Sequence, residues 1–93
     1  MTDPRWQVDV IVMPKDGVSD PQGEAVRGGL SMLGHAGVAV VRVGRHLRLD
    51  IVAPSSDEAR SAVTRMAEQL LANPVIEQFE ISAVEKLSTV EVG

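Results

Sequence analysis

Residues 38–53, VAVVRVGRHLRLDIVA, constrain the fold more than any other part of the chain. They form the longest run dominated by β-forming residues, and Gly44-Arg45-His46 interrupts that run at one point. A helix-like segment lies on each side, and another strand-like segment lies beyond each helix. The pattern therefore predicts a central β-hairpin between two βα halves.

The side-chain register decides which loop the hairpin uses. A two-residue turn would mix apolar and polar side chains on both faces, whereas a three-residue loop of Gly44, Arg45 and His46 separates them. On the opposite face of the hairpin, Arg42 then lies across from Arg48, next to Val40 and Asp50. The favoured register places three apolar pairs on one face: Val43 with Leu47, Val41 with Leu49, and Ala39 with Ile51.

The other elements follow from periodicity and from helix start and stop signals. Asp20-Pro21 begins a helix that runs to about Leu33, and residues 55–58 (SSDE) begin a second helix over about 56–72. Alternating apolar residues predict a central strand over 6–13 and a last strand over 75–84, with Phe79, Ile81 and Ala83 on one face.

The resulting order is βαββαβ, in a single domain spanning residues 1–93 with 85–93 as a tail. This order predicts an α+β, two-layer sandwich of ferredoxin-like type. Its four-stranded antiparallel sheet would have the strand order 4-1-3-2 and both helices on one face. Val38, Val40 and Val52, with Ile11 and Met13 beside them, would leave an apolar patch on the other face, which is typical of an interface.

Composition excludes several classes of function. The net charge of −4 argues against a general nucleic-acid binder, and the absence of cysteine excludes disulfides and thiolate metal sites. No apolar run approaches the roughly 18 residues of a membrane span, and the first residues do not resemble a signal peptide. We expect a soluble, cytoplasmic domain that binds neither nucleic acid nor membrane.

No group of residues forms a recognisable active site. His35 and His46 lack clustered carboxylates, so the metal signal is weak, and neither a nucleophile motif nor a phosphate-binding glycine loop is present. Gly23 in the first turn of the first helix is unfavourable for a helix, which suggests that another backbone or a partner approaches closely there. The sequence predicts no catalytic, cofactor or metal residues.

Four basic residues within seven positions stand out in an acidic chain: Arg42, Arg45, His46 and Arg48. They fit two interpretations, a solvated strand face or a docking patch for an acidic partner surface.

Several segments, taken together in order and spacing, resemble one known family. They are residues 15–18 (KDGV) running into 20–23 (DPQG), 33–34 (LG), 41–45 (VRVGR) and 71–77 (LANPVIE). The chain resembles the PurS family, the small subunit of phosphoribosylformylglycinamidine (FGAM) synthase, over nearly its whole length. His46 departs from the family pattern, and so does the length of the segment after Glu85.

The resemblance implies a non-catalytic, dimeric adaptor in purine biosynthesis. It would join a glutaminase subunit to a large synthetase subunit, which convert formylglycinamide ribonucleotide to FGAM with ATP and glutamine, and would contribute to ammonia transfer. This subunit would bind no cofactor itself, since ATP, Mg²⁺ and glutamine are used by the complex. It would assemble as a dimer or a dimer of dimers. The residues predicted to meet partners are Asp20, Pro21, Gly23, Arg42, Gly44, Arg45, His46, Arg48 and Asn73.

Two other functions share this order of elements. An ACT-like module would sense a small molecule, and an acylphosphatase-like enzyme would need a phosphate-binding loop after the first strand. Residues 14–17 (PKDG) stand where that loop would be, which disfavours the enzyme.

Overall fold

A computed structural model describes residues 3–87 of the chain. The elements are β1 (Arg5–Pro14), α1 (Pro21–Met32), β2 (Arg45–Val52), α2 (Ser56–Met66) and β3 (Glu77–Lys86). One π-helical turn, Ala67–Leu71, continues α2. Both predicted helices and the first and last predicted strands are confirmed, with small differences at their ends. The predicted tail begins inside β3, and residues 88–93 lie outside the described part.

The three strands form one antiparallel sheet in the order β2-β1-β3. The first strand therefore has a neighbour on each side, as its apolar character predicted. One face of β1 carries Val8, Val10 and Val12, and these side chains are almost completely buried. They pack with Ala59 and Val63 of α2, so α2 and β1 supply the centre of the core.

The predicted central hairpin is wrong for a single chain. β2 pairs with β1 alone, placing Arg45 opposite Val12, and residues 38–44 form no strand. Leu47 and Leu49 face Val10 and Val8, so the apolar face of β2 is matched by β1 without a turn at 44–46. Arg42 and Arg48 are consequently not across from each other, and the fourth strand of the predicted sheet is absent from residues 3–87.

Helix α1 does not lie on the sheet, contrary to the prediction of two helices on one face. Its one buried residue is Gly23, and no α1 residue belongs to the core. Leu33 just after the helix is 76% exposed and Val26 is 46% exposed. The molecule measures 57 × 30 × 18 Å, with a radius of gyration of 17.5 Å. A compact chain of this length would have a radius of gyration of about 12 Å, so part of the chain projects from the body.

A β-bulge in β3 changes which side chains face the core. Asp9 pairs with Ala83 and Val10 pairs with Ile81, so Ser82 is the extra residue. Beyond the bulge, Val84 packs against the core while Ala83 lies opposite Asp9. The expectation that Ala83 shares a face with Phe79 and Ile81 is therefore wrong.

Truncating the core should have a much larger effect than truncating the surface. We expect Val63→Ala to lower the free energy of unfolding by about 2 kcal/mol, because Val63 is completely buried between α2 and β1. The matched change Val75→Ala, at a side chain that is 78% exposed, should alter it by less than about 0.5 kcal/mol. Urea unfolding followed by circular dichroism measures both, and equal losses would contradict this account of the core.

Candidate partner-binding surface

The projecting part of the chain is an arm, residues 20–43, comprising α1 and the segment that returns to β2. The base of the arm is where its two ends meet, and the carboxylate of Asp20 joins these ends through both of its oxygens. Oδ1 accepts the backbone N–H of Gly23 at 3.0 Å and caps α1, while Oδ2 accepts the backbone N–H of Val43 at 2.9 Å. These two hydrogen bonds hold the pKa of Asp20 below its ordinary value. Pro21 occupies the first helical position, as predicted.

The close approach of the two ends of the arm requires a glycine at position 23. A Cβ added at Gly23 would lie 2.0 Å from the backbone oxygen of Val41. The close backbone approach inferred from sequence is thus confirmed, and the approaching backbone belongs to the same chain. Gly44 has a similar role at the other end of the returning segment, because a Cβ there would lie 2.2 Å from the backbone oxygen of Val12.

Arg42 links the returning segment of the arm to the loop that precedes α1. Its guanidinium Nη1 donates to Asp16 Oδ1 at 2.5 Å, and the side chains of Arg42 and Asp16 are 38% and 90% exposed. An exposed pair of this kind adds little stability, so its effect is mainly on how the two loops are positioned.

On the sheet face opposite α2, the Asp9 carboxylate contacts two other basic residues of the cluster, His46 and Arg48. Arg48 donates from Nε and Nη2 to the two carboxylate oxygens at 3.0 and 3.2 Å, and His46 Nε2 lies 3.3 Å from Oδ2. The Arg48 hydrogen bond lowers the pKa of Asp9, and burial opposes that shift. Asp9 is the buried charged residue of the described chain, and it is satisfied by this fork.

Arg45 joins the start of β2 to the loop before β3. Its guanidinium donates to both carboxylate oxygens of Glu77, at 2.7 and 3.1 Å, and to the backbone oxygen of Leu71 at 2.7 Å. Glu77 also accepts the backbone N–H of Asn73, and Asn73 Oδ1 accepts the N–H of Val75. The Arg45 hydrogen bond lowers the pKa of Glu77. Asn73 therefore shapes this loop.

The structure does not bring the predicted interface residues to one point. It distributes them between the arm base, the charged sheet face and the Asn73 loop. Each basic residue of the sequence cluster has an acidic neighbour within the chain, so the cluster is charge-balanced rather than a free positive patch. Whether these residues meet partners stays a prediction.

Sequence reasoning missed an apolar surface beside the Asn73 loop. Leu70 before this loop is 82% exposed, and Val75 and Ile76 within it are 78% and 43% exposed. Residues 75 and 76 were assigned to the last strand, but β3 begins at Glu77. Pro74, directly before them, was the available signal that they belong to a loop. A cleft of about 340 Å³ opens nearby, lined by Ala67, Glu68, Ala72, Pro74, Glu77, Gln78 and Phe79.

Among residues 3–87, no three His, Asp or Glu side chains lie close enough together to hold a metal ion. The same part of the chain contains no helix that is long and apolar enough to cross a membrane.

Comparison with known proteins gives the family. The family model described as PurS, phosphoribosylformylglycinamidine (FGAM) synthase, matches residues 7–85, which include every strand and helix of the structure in whole or in part. The chain belongs to the PurS family. The resemblance found in the sequence motifs is thereby confirmed.

Individual PurS proteins agree in sequence and in fold. The chain is 44% identical over 78 residues to the FGAM synthase subunit PurS of Synechocystis, covering 82% of this chain and 78% of the relative. Thermus thermophilus PurS superposes with a TM-score of 0.81 at 40% identity, covering 91% of this chain and all of that one. A structure described as PurLQS from Thermotoga maritima contains a chain that superposes with a TM-score of 0.75 at 30% identity, covering 90% and 99%.

Adding one methyl group at Gly23 should weaken the contact between the two ends of the arm. We expect Gly23→Ala to destabilise the chain by about 1–3 kcal/mol, since the new Cβ must displace the Val41 carbonyl. The same change at Gly28, where a Cβ meets nothing within 4 Å, should stabilise α1 by about 0.5–1 kcal/mol. Urea denaturation of the two variants provides the measurement. Similar effects of both changes would show that Val41 yields without cost.

Lowering the pH should weaken the contacts made by three carboxylates, because folding lowers their pKa values. The pKa values of Asp9, Asp20 and Glu77 are lower in the folded chain than their ordinary values. Their contribution to the free energy of unfolding is therefore complete above the pKa values of the unfolded chain, and it is lost as the pH falls through those of the folded chain. We expect Asp9→Asn to lower stability near neutral pH and to make the fall between about pH 5 and about pH 2 shallower. Urea midpoints across that range test this, and equal slopes would exclude Asp9 as a contributor.

Proposed function

We propose that this chain is the small, non-catalytic subunit of FGAM synthase, acting in de novo purine biosynthesis. The observation that carries the proposal is the PurS family match across residues 7–85. The likeness to a chain of the PurLQS structure supports a role inside a complex of several subunits. In that role the chain joins the glutaminase to the large synthetase during conversion of formylglycinamide ribonucleotide to FGAM.

The division of chemistry between the subunits follows from this role. The large subunit uses ATP and Mg²⁺ to activate the amide oxygen, and the glutaminase releases ammonia from glutamine. The small subunit binds none of these and contributes to the enclosure of the ammonia path. Because these substrates are metabolites of the cytoplasm, we place the complex there.

The contacts within the chain support an adaptor rather than a chemical role. Arg45 and Arg48 are each held by a carboxylate through two hydrogen bonds, and each carboxylate oxygen of Asp20 accepts one backbone N–H. Side chains fixed in this way present a defined shape to a partner. We propose that partners meet the arm base and the apolar residues Leu70, Val75 and Ile76 beside the Asn73 loop. Apolar groups exposed next to a cleft are typical of interfaces.

We further propose that the chain self-associates as a dimer or a dimer of dimers. Its exposed apolar residues include Val26, Met32 and Leu33 on and after α1, together with Val40 and Val52. A chain this short buries little surface alone, so burial between copies is a large source of stability.

Reconstitution tests the adaptor role directly. Mixing the purified chain with its large synthetase and glutaminase subunits should give glutamine-dependent FGAM formation and a complex that co-elutes in size-exclusion chromatography. Omission of the chain should abolish the glutamine-dependent reaction and leave ammonia-dependent FGAM formation by the large subunit. Equal glutamine-dependent rates with and without the chain would refute the adaptor role.

Reversing one ion pair separates partner recognition from positioning within the chain. Asp16→Arg combined with Arg42→Glu keeps opposite charges at the 2.5 Å contact but exchanges their places. If a partner binds the Arg42 guanidinium, we expect the exchanged variant to assemble at least about tenfold more weakly, as for the loss of one charged hydrogen bond. Arg42→Glu alone, with Asp16 retained, measures the like-charge effect as the control. Wild-type affinity in the exchanged variant would assign Arg42 to positioning alone.

A further inference from the structure

One aspartate of the chain, Asp16, is followed by a glycine. The carboxyl carbon of an aspartate can be attacked by the backbone nitrogen of the next residue, and glycine favours this attack because it has no Cβ to obstruct it. The other aspartates are followed by valine, isoleucine, glutamate or proline. Asn73 is also followed by proline, whose nitrogen carries no hydrogen. The sequence therefore favours Asp16 above every other position for conversion to isoaspartate.

The structure places Asp16 where the backbone can rotate. Asp16 lies in the loop between β1 and α1, and its side chain is 90% exposed. Asp9 and Asp50 lie in strands and Asp57 lies in α2, so backbone hydrogen bonds oppose the rotation that ring closure needs at those three residues. Position and exposure thus select the same aspartate as the sequence does.

The turn around Asp16 leaves the attacking nitrogen accessible. The backbone N–H of Val18 donates to the carbonyl oxygen of Lys15 at 3.2 Å, so residues 15–18 form a β-turn. Gly17 is the third residue of this turn and has a φ of 82°, a conformation that suits glycine. Within residues 3–87 the Gly17 N–H makes no backbone hydrogen bond, and a Cβ at Gly17 would meet nothing within 4 Å. The nitrogen is therefore neither bonded nor covered by a neighbouring segment.

We propose that Asp16 is a site of spontaneous isoaspartate formation. The Gly17 nitrogen attacks Asp16 Cγ, a new N–C bond replaces a C–O bond, and one water leaves, which closes a five-membered succinimide ring. A water then attacks the original main-chain carbonyl carbon and breaks its bond to the Gly17 nitrogen. The main chain now runs through Cβ and Cγ, and the α-carboxylate is free. Because the water lost in the first step is regained in the second, the chain keeps its mass, and no oxidant or cofactor is consumed.

The conversion alters a loop that contacts both ends of the proposed partner surface. It adds one carbon to the main chain inside the 15–18 turn and moves the carboxylate that accepts Arg42 Nη1. The same turn is linked to the Asn73 loop, because the Lys15 N–H donates to the carbonyl oxygen of Ile76 at 2.9 Å and Lys15 Nζ donates to that of Pro74 at 2.6 Å. Converted molecules should therefore bind partner subunits more weakly, a consequence that rests on the proposed function.

Peptide mapping after prolonged incubation tests the site. The folded chain is held at physiological temperature and neutral pH for several weeks, and chymotryptic peptides are sequenced by electron-transfer fragmentation, which distinguishes isoaspartate from aspartate. We expect at least about tenfold more isoaspartate at Asp16 than at Asp9, Asp50 or Asp57, since a barrier lower by about 1.4 kcal/mol gives that ratio of rates. Equal amounts at these four positions, or none at Asp16, would overturn the proposal.

Two controls make the mapping specific. Asp16→Glu retains a carboxylate but would have to close a six-membered ring, so it should give no conversion at this position. A parallel incubation of the wild-type chain in guanidinium chloride measures the reaction without the fold. Conversion at Asp16 in denaturant but not in buffer would show that the folded turn prevents the reaction, and it would overturn the proposal for the native chain.

Enzymatic repair tests the consequence for assembly. Protein L-isoaspartyl methyltransferase transfers a methyl group from S-adenosylmethionine to the free α-carboxylate, and loss of methanol reforms the succinimide, which water opens in part to aspartate. The converted fraction should bind the partner subunits about tenfold more weakly than fresh chain, as for the loss of one charged hydrogen bond, and repair should restore binding. Incubated Asp16→Glu should bind like fresh Asp16→Glu.

The outcomes separate the site from the proposed function. Isoaspartate at Asp16 with unchanged partner affinity would overturn the consequence for assembly and support the site. Reduced affinity that repair does not restore would assign the loss to other damage. Failure of fresh, unincubated chain to support glutamine-dependent FGAM formation would refute the adaptor role, whereas the peptide map would still decide the modification.

Discussion

The structure depends on the packing of α2 against the valine face of β1. Val8, Val10 and Val12 are buried there, and β1 hydrogen-bonds to a strand on each side. This contact fixes the sheet without any contribution from α1. The chain is consequently divided into a body that holds the core and an arm that is attached at its base. The division explains how a short chain can be both well packed and far from compact.

Local chemistry made the helices predictable from sequence. Asp20 with Pro21 begins α1, and Ser55 Oγ accepts the backbone N–H of Glu58 at the start of α2, as the capping pattern indicated. Gly23 was also informative, because only a close backbone contact explains a glycine in that first turn. Such signals act over a few residues, so one sequence contains everything needed to read them.

Pairing between distant strands was not predictable in the same way. The apolar face of β2 was predicted correctly, because Leu47, Leu49 and Ile51 pack against the core. The strand paired with that face was not, because β2 pairs with β1 and residues 38–44 form no strand. The bulge at Ser82 was hidden for a similar reason, since alternation continues on both sides of it with opposite phase. The acidic neighbours of the charged cluster could not be identified from sequence, because Asp9 and Glu77 are 39 and 32 residues from Arg48 and Arg45.

The double hydrogen bond at Asp20 has a consequence for the speed of molecular encounter. One carboxylate fixes the start of α1 and the end of the returning segment, so the arm is held in one orientation before anything binds to it. A freely swinging arm would lose its conformational entropy at the moment of contact, and many collisions would be unproductive. Ordering the arm during folding moves that entropy loss to an earlier, unimolecular step. For a partner that binds the arm, a substitution at Gly23 would therefore be expected to alter the association rate as well as the stability.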